Sequence, residues 1–264
     1  MLDLICIDVD GTLVGSSGEV PDETWAAIAA VRARGVRLAI CSGRPAFGKT
    51  RGYAERLDAD GWHVFQNGAS VVHLPGGNTR SQPLAGMAVR ALVERARETG
   101  RPLELYGDTE HAVEMDVPRA RRHADLLGIP FVVRDLLAFG APVVRGQWLL
   151  AHDEVDAVLA EPHEGLTLSH SLSPVMPDTS FLNVTPLGVD KGEAVRAVAR
   201  EYGIPLERVM MVGDGANDVP AMRIVGAAVA MSNGEPAARE AARHHVGDVD
   251  RGGLVEALAL ALTL

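Results

Sequence analysis

The sequence predicts an α/β protein in which a parallel sheet covered by helices is interrupted by an inserted α/β domain. Three observations predict it. Near both ends of the chain, short apolar runs that stop at acids, small hydroxyls or glycines alternate with helical stretches. The connections between them are short, as in strand–helix–strand units with parallel strands. Between these ends, helical stretches alternate with short period-two strand candidates, and Pro75-Gly76-Gly77 and Pro186 with Gly188 punctuate the two edges. The expected division is a discontinuous core, 1–80 and 184–264, around an insert, 81–183, with a mainly antiparallel sheet.

The elements follow in order. LDLICIDVDGT reads as a buried strand. Pro21-Asp22-Glu23 opens a helix with proline and acids in its first turn, and Gly35 closes it. A strand VRLAICS, a helix over Pro45–Leu57 and a strand around His63–Gln66 come next. In the insert, LAGMAVRALVERARE, RARRHADLL and DEVDAVLAE are helical, while LELY, HAVEM, QWLLAH and LTLSHS are strand candidates. Beyond it lie a helix over 190–202 ending at Gly203, strands VMMV and AAVAM, a helix over Glu235–Arg243 and a last helix from Gly253.

Composition narrows the function. The formal charge of −10 works against binding to nucleic-acid backbones. A small anionic substrate remains compatible if a metal or local cations reverse the sign at the site. Cys6 and Cys41 sit inside apolar runs and read as buried hydrophobes in a reducing compartment. Neither a signal peptide nor an apolar run near the ~18 residues needed to span a bilayer is visible, so the expected location is the cytoplasm.

In open parallel sheets, ligands bind beyond the carboxyl ends of the strands. Four predicted ends carry Asp8-Val9-Asp10-Gly11-Thr12, Ser42-Gly43-Arg44, Asn67-Gly68 and Gly213-Asp214-Gly215-Ala216-Asn217-Asp218. Asp8 and Asp10, two apart, share a side of extended chain. With Asp214 and Asp218 they make four converging carboxylates, which repel unless a cation lies among them. Mg²⁺ suits a few carboxylates, water and a phosphate. Lys191 offers a compact charge to a phosphoryl oxygen, Ser42 a hydroxyl donor, and Gly43 an amide that approaches closely. Together these groups can neutralise a phosphoryl group in transfer.

DVDGTLV resembles the first motif of the haloacid dehalogenase superfamily. Ser42-Gly43-Arg44 resembles the second, Lys191 in GVDKGEAV the third, and GDGANDVPAM the fourth. Asn67-Gly68-Ala69 and FLNVTPLGVDKG resemble its Cof-type branch, subfamily IIB, with a large C2 cap inserted after the third core strand. The resemblance implies a Rossmann-like core and Mg²⁺-dependent hydrolysis of a small phosphorylated metabolite, a sugar phosphate foremost. By position it implies Asp8 as nucleophile and Asp10 as the acid that protonates the leaving group and then activates water. It implies Asp8, Asp214 and the main-chain carbonyl of Asp10 as metal ligands. The Val9 amide, Ser42, Gly43, Lys191 and Asn217 would form the phosphate clamp, and Asp218 would orient the metal or Lys191. Asn183, where many relatives carry an acid, and Gly234, where alanine is more usual, depart from the pattern.

The same site would serve a phosphotransferase or mutase, and a non-catalytic phosphometabolite-binding protein is the third reading. In the cap, Tyr106, Arg134, Arg145 and His170 are candidates for choosing the substrate. Against ligand roles, His73, His170, His244 and His245 read as surface or satisfied residues, Lys49 as a surface residue, and Trp62 and Trp148 as packing elements.

Overall fold

The computed structural model describes residues 1–173 and 175–264, which divide into two compact units. The first comprises 1–43, 52–80 and 190–264, and the second 44–51 and 81–189. The fold is α/β, as the alternation predicts.

In chain order, the first unit begins with β1 (Leu4–Ile7), α1 (Asp22–Arg32) and β2 (Arg37–Ile40). Helix α2 (Lys49–Asp58) leads to β3 (Trp62–Phe65), β4 (Ser70–His73) and β5 (Asn78–Thr79). α2 starts four residues later than expected because Gly48 takes a left-handed conformation (φ +66°), which no helix continues.

The second unit contains α3 (Gly86–Thr99), β6 (Leu103–Tyr106), β7 (His111–Val113), α4 (Pro118–Leu127), β8 (Arg145–Leu150), α5 (Val155–Leu159), β9 (Leu166–Leu172) and β10 (Ser180–Pro186). Its antiparallel sheet has the order β7-β6-β8-β10-β9. One face buries Leu103, Leu105, Trp148, Leu182 and Val184 against Leu92, Val93 and Ala96 of α3 and Val155 and Val158 of α5. The alternate residues Glu104, Tyr106, Arg145, Gln147 and Asn183 take the other face and are buried as well. β10 is absent from the expected strands. It lies between β8 and β9, buried almost throughout, so the alternation of Leu182-Asn183-Val184-Thr185 divides two buried faces rather than core from solvent.

The chain returns to the first unit with α6 (Lys191–Tyr202), β11 (Val209–Gly213), α7 (Val219–Met222), β12 (Ala227–Met231), α8 (Pro236–Ala241), β13 (His244–Val246) and α9 (Gly253–Ala261). The parallel sheet has the order β13-β12-β11-β1-β2, with Ile7 between Val212 and Ile40. Leu4, Cys6, Ala39, Cys41, Val209, Met211, Ala228 and Ala230 face Val195, Val198 and Ala199 of α6. Small residues on that face let the helix approach closely. β3 joins this sheet only through the bridge Cys41–Val64, and its full ladder is with β4, then β5, both antiparallel. The ring of His63 accounts for the break: Ile40 N–H donates to its Nδ1 at 3.1 Å instead of to a β3 carbonyl. Among the described residues, no helix is long and apolar enough to cross a membrane.

Candidate active site

The register that pairs Ile7 with Val212 and Ile40 brings the next residues of each strand to one edge of the sheet. Asp8, Ser42 and Asp214 follow there. Asp8 N–H donates to Val212 O (3.0 Å) and Ser42 N–H to Val64 O (3.0 Å), so the strand ends stay tied past their last paired residues. The two loops come within contact. Gly11 has φ +79°, and a Cβ on it would fall 2.2 Å from Asp214 Oδ2, so the motif requires glycine there on both counts.

Lys191 occupies the first position of α6, whose N-cap is Asp190, with Oδ1 accepting from Glu193 N–H at 2.9 Å. Its Nζ donates to Asp8 Oδ1 at 2.7 Å and to Asp218 Oδ1 at 2.6 Å. The side chains of Lys191 and Asp218 are fully buried and that of Asp8 is 9% exposed. The other oxygen of Asp218 accepts from the amides of Asp214 (3.0 Å) and Gly215 (2.9 Å), which shapes the turn that carries Asp214. Asp214 accepts from Thr12 Oγ1 at 3.2 Å. Carboxylate oxygens of Asp8, Asp214 and Asp218 all lie within 4.8 Å of one another.

Charge at this cluster does not balance. With every group ionised, three carboxylates against one ammonium would leave two negative charges in a largely buried space, which that space disfavours. Burial pushes the Asp8 carboxyl up to about 7, with the Asp218 charge adding to the rise and Lys191 opposing it. Burial, then Asp8 and Asp218, push Asp214 up to about 8. Burial disfavours the Lys191 ammonium, but Asp218 and Asp8 outweigh it and hold that group above its ordinary range. A divalent cation at the Asp8–Asp214 pair would bring the charge to zero, and all-oxygen donors suit a hard ion such as Mg²⁺. The residues present therefore fit that ion.

The remaining expected residues group unevenly. Asn217 Nδ2 donates to Asn67 Oδ1 at 3.0 Å, and a Cβ on Gly43 would lie 3.0 Å from that same Asn67 oxygen, so Gly43, Asn67 and Asn217 are neighbours. Ser42 is buried, and the Val9 backbone carbonyl accepts from Leu13 and Val14 within the turn after β1. The side chain of Asp10 is exposed and stands outside the carboxylate cluster. Thr12 was not singled out by sequence, although its hydroxyl at a strand end is the signal that picked out Ser42. Of the cap candidates, Tyr106 donates to Glu104 Oε2 at 2.6 Å, and Arg145 stacks on Tyr106 and donates to Asn183 Oδ1 at 3.0 Å, all buried. Arg134 pairs with Glu110 at 2.6 Å, and His170 is exposed on β9.

The profile of the haloacid dehalogenase-like hydrolase family matches residues 5–126 and 166–258. The chain belongs to that family, in its Cof-type branch, and is an enzyme of the phosphatase class. It is 29% identical over 259 residues to YkrA of Bacillus subtilis (strain 168), provisionally named a phosphatase, with 97% of this chain and 96% of YkrA covered. Among solved structures, a haloacid dehalogenase-like hydrolase from Bacteroides thetaiotaomicron superposes with a TM-score of 0.87 at 24% identity, covering 98% of this chain and 99% of that one. A structure described as a subclass IIB sugar phosphatase gives 0.84 at 22% identity, covering 99% and 100%.

Proposed function

We propose that the protein is a Mg²⁺-dependent phosphomonoesterase that acts on a small phosphorylated metabolite, a sugar phosphate foremost, through an aspartyl-phosphate intermediate. The observation that carries the reading is the Asp8–Lys191–Asp218 chain beside Asp214, with two negative charges in excess when every group is ionised. Mg²⁺, held by the carboxylates of Asp8 and Asp214 and the main-chain carbonyl of Asp10, would neutralise charge on the transferring group.

The residues do the rest. An Asp8 oxygen attacks phosphorus, the bond to the ester oxygen breaks, and Asp10 gives that oxygen its proton. Asp10, now a carboxylate, takes a proton from water, whose oxygen attacks the phosphoryl group and frees Asp8 with release of inorganic phosphate. Lys191 keeps Asp8 ionised and aimed, and with Ser42, Asn217 and the amides of Val9 and Gly43 it holds the phosphoryl oxygens. Asp218 fixes Lys191 on one side and the Asp214 turn on the other. The sugar reading draws on the subclass IIB sugar phosphatase of like fold.

The test is turnover of an aryl phosphate with Mg²⁺, followed by a panel of phosphorylated metabolites. The wild type should release inorganic phosphate, and Asp8→Asn should lower kcat by about three orders of magnitude or more while melting like the wild type. No turnover by the wild type on any substrate, or an active Asp8→Asn, overturns the reading.

A further inference from the structure

Acids from residues 8–10 and from residue 214 can share one cation only if something fixes the distance between two loops that are far apart along the chain. The turn after β12 touches both. Asn233 Nδ2 donates to Gly11 O at 2.8 Å, and Asn233 Oδ1 accepts from Val249 N–H at 3.0 Å. Two residues on, Glu235 N–H donates to Asp214 O at 2.7 Å, and Glu235 Oε2 accepts from Ala216 N–H at 3.1 Å. Between them, a Cβ on Gly234 would stand 3.0 Å from Asp214 O and 3.1 Å from Asp214 Cα. Gly234, where the family pattern more usually has alanine, thus lets the turn lie directly against the Asp214 backbone.

The Gly11 peptide is gripped from two directions. Its N–H donates to Val14 O (2.9 Å) and its carbonyl accepts from Asn233. Asp10, whose carbonyl carbon is bonded to that Gly11 nitrogen, has its main chain aimed by this grip. Asn233 is itself exposed, so its side chain contributes little packing.

From this geometry we infer that Asn233 is a positioning residue: by holding the Gly11 carbonyl from a turn anchored on Asp214, it sets the spacing of the two loops and with it the affinity for the cation. The inference rests on the cation site proposed above and adds a residue that touches neither cation nor substrate.

Mn²⁺ binding, read from the electron paramagnetic resonance signal of the free ion, tests it without any turnover. Asn233→Ala removes both hydrogen bonds. Asn233→Asp is of the same size and keeps the acceptor for Val249, but it sets an oxygen against the Gly11 carbonyl. Both variants should raise the Kd for Mn²⁺ by tenfold or more, with metal-free melting temperatures close to that of the wild type. The Asp variant is the sharper case: its added negative charge by itself would tighten cation binding, whereas positioning requires that it loosen it. A Kd within twofold of the wild type in both variants, or tighter binding by Asn233→Asp, overturns the inference and leaves the proposed function standing. A wild type that takes up no Mn²⁺ overturns the cation site, and this inference with it.

Discussion

Lys191 shows what a single residue is asked to do here. Its ammonium is buried between two carboxylates, so its removal leaves Asp8 and Asp218 without their counter-ion. Breaking a buried pair from one side costs about 3–5 kcal/mol. Lys191→Met should therefore lower the unfolding free energy by about that amount in EDTA, and Mg²⁺ should restore part of it; chemical denaturation with and without Mg²⁺ measures both. A loss under about 1 kcal/mol would mean the carboxylates are not held ionised by this lysine. His63 offers a pH test away from the site. Its Nδ1 accepts from Ile40 and its Nε2–H donates to Asp58 O at 2.9 Å, which demands the neutral ring, and burial lowers its pKa from 6.5 to about 4. Because the folded value lies below the unfolded one, this stabilisation is complete above pH 6.5 and is lost as the pH falls toward 4, about 3 kcal/mol in all. Nitrogen-15 NMR of the folded protein at pH 5.5 should find this ring neutral and protonated at Nε2; an imidazolium would refute the assignment. Legibility differed between these two residues. Lys191, Asp8 and Asp214 stood out because they belong to an ordered set of four motifs, each at a predicted strand end or helix start; alone, an acid there can cap a turn and a lysine can be solvated. His63 and Thr12 did not, since what their polar atoms meet depends on neighbours that only the fold supplies. Tyr106 and Arg145 misled in the opposite direction, as recognition-type side chains that the structure commits to a buried network with Glu104 and Asn183.

At the scale of elements, α6 is the piece that delivers chemistry. The sequence predicts its extent, 190–202 with Gly203 at its end, to within one residue; the structure adds that Asp190 is its cap and that Ala194, Val195 and Val198 are buried. The cap does more than start the helix, because it fixes the turn from which Lys191 reaches Asp8. Asp190→Ala should lower stability by about 1 kcal/mol, a fall of about 2–4 °C in melting temperature for a chain this long, and should also raise KM for the aryl phosphate. An unchanged KM with the expected stability loss would confine the cap to folding. Other elements were less legible for stated reasons. β10 has both neighbours in the sheet and is buried on both faces, so its Leu-Asn-Val-Thr alternation does not separate core from solvent, and β4 and β5 are short strands whose hairpin partners only the fold reveals. α2 was drawn too long because nothing in the sequence around Gly48 distinguishes a left-handed glycine from one inside a helix.

Across the whole molecule, the site joins three stretches of chain, 1–43, 52–80 and 190–264, with more than a hundred residues of a second unit between the last two. Their meeting was legible because each strand end carried its own polar signature and a parallel sheet places all such ends on one edge. Their spacing was not, since it depends on contacts such as Gly11 with Asp214 that no local pattern encodes. A cation that binds only when these stretches are assembled must stabilise the fold as a whole, by an amount set by its concentration over its Kd. At a hundredfold excess over Kd the gain is about 2.7 kcal/mol, or several degrees in melting temperature at this size. Mg²⁺ should therefore raise the melting temperature of the wild type, EDTA should reverse it, and Asp214→Asn should abolish the shift while, in EDTA, melting at or above the wild type. The last outcome follows from the surroundings of Asp214: burial and the neighbouring acids disfavour its charged form, so a neutral amide there costs the metal-free protein little. Raising ionic strength with a monovalent salt separates this from general screening of a chain with net charge −10, because screening would shift wild type and Asp214→Asn alike. Equal shifts with Mg²⁺ in both proteins would remove Asp214 from the cation site.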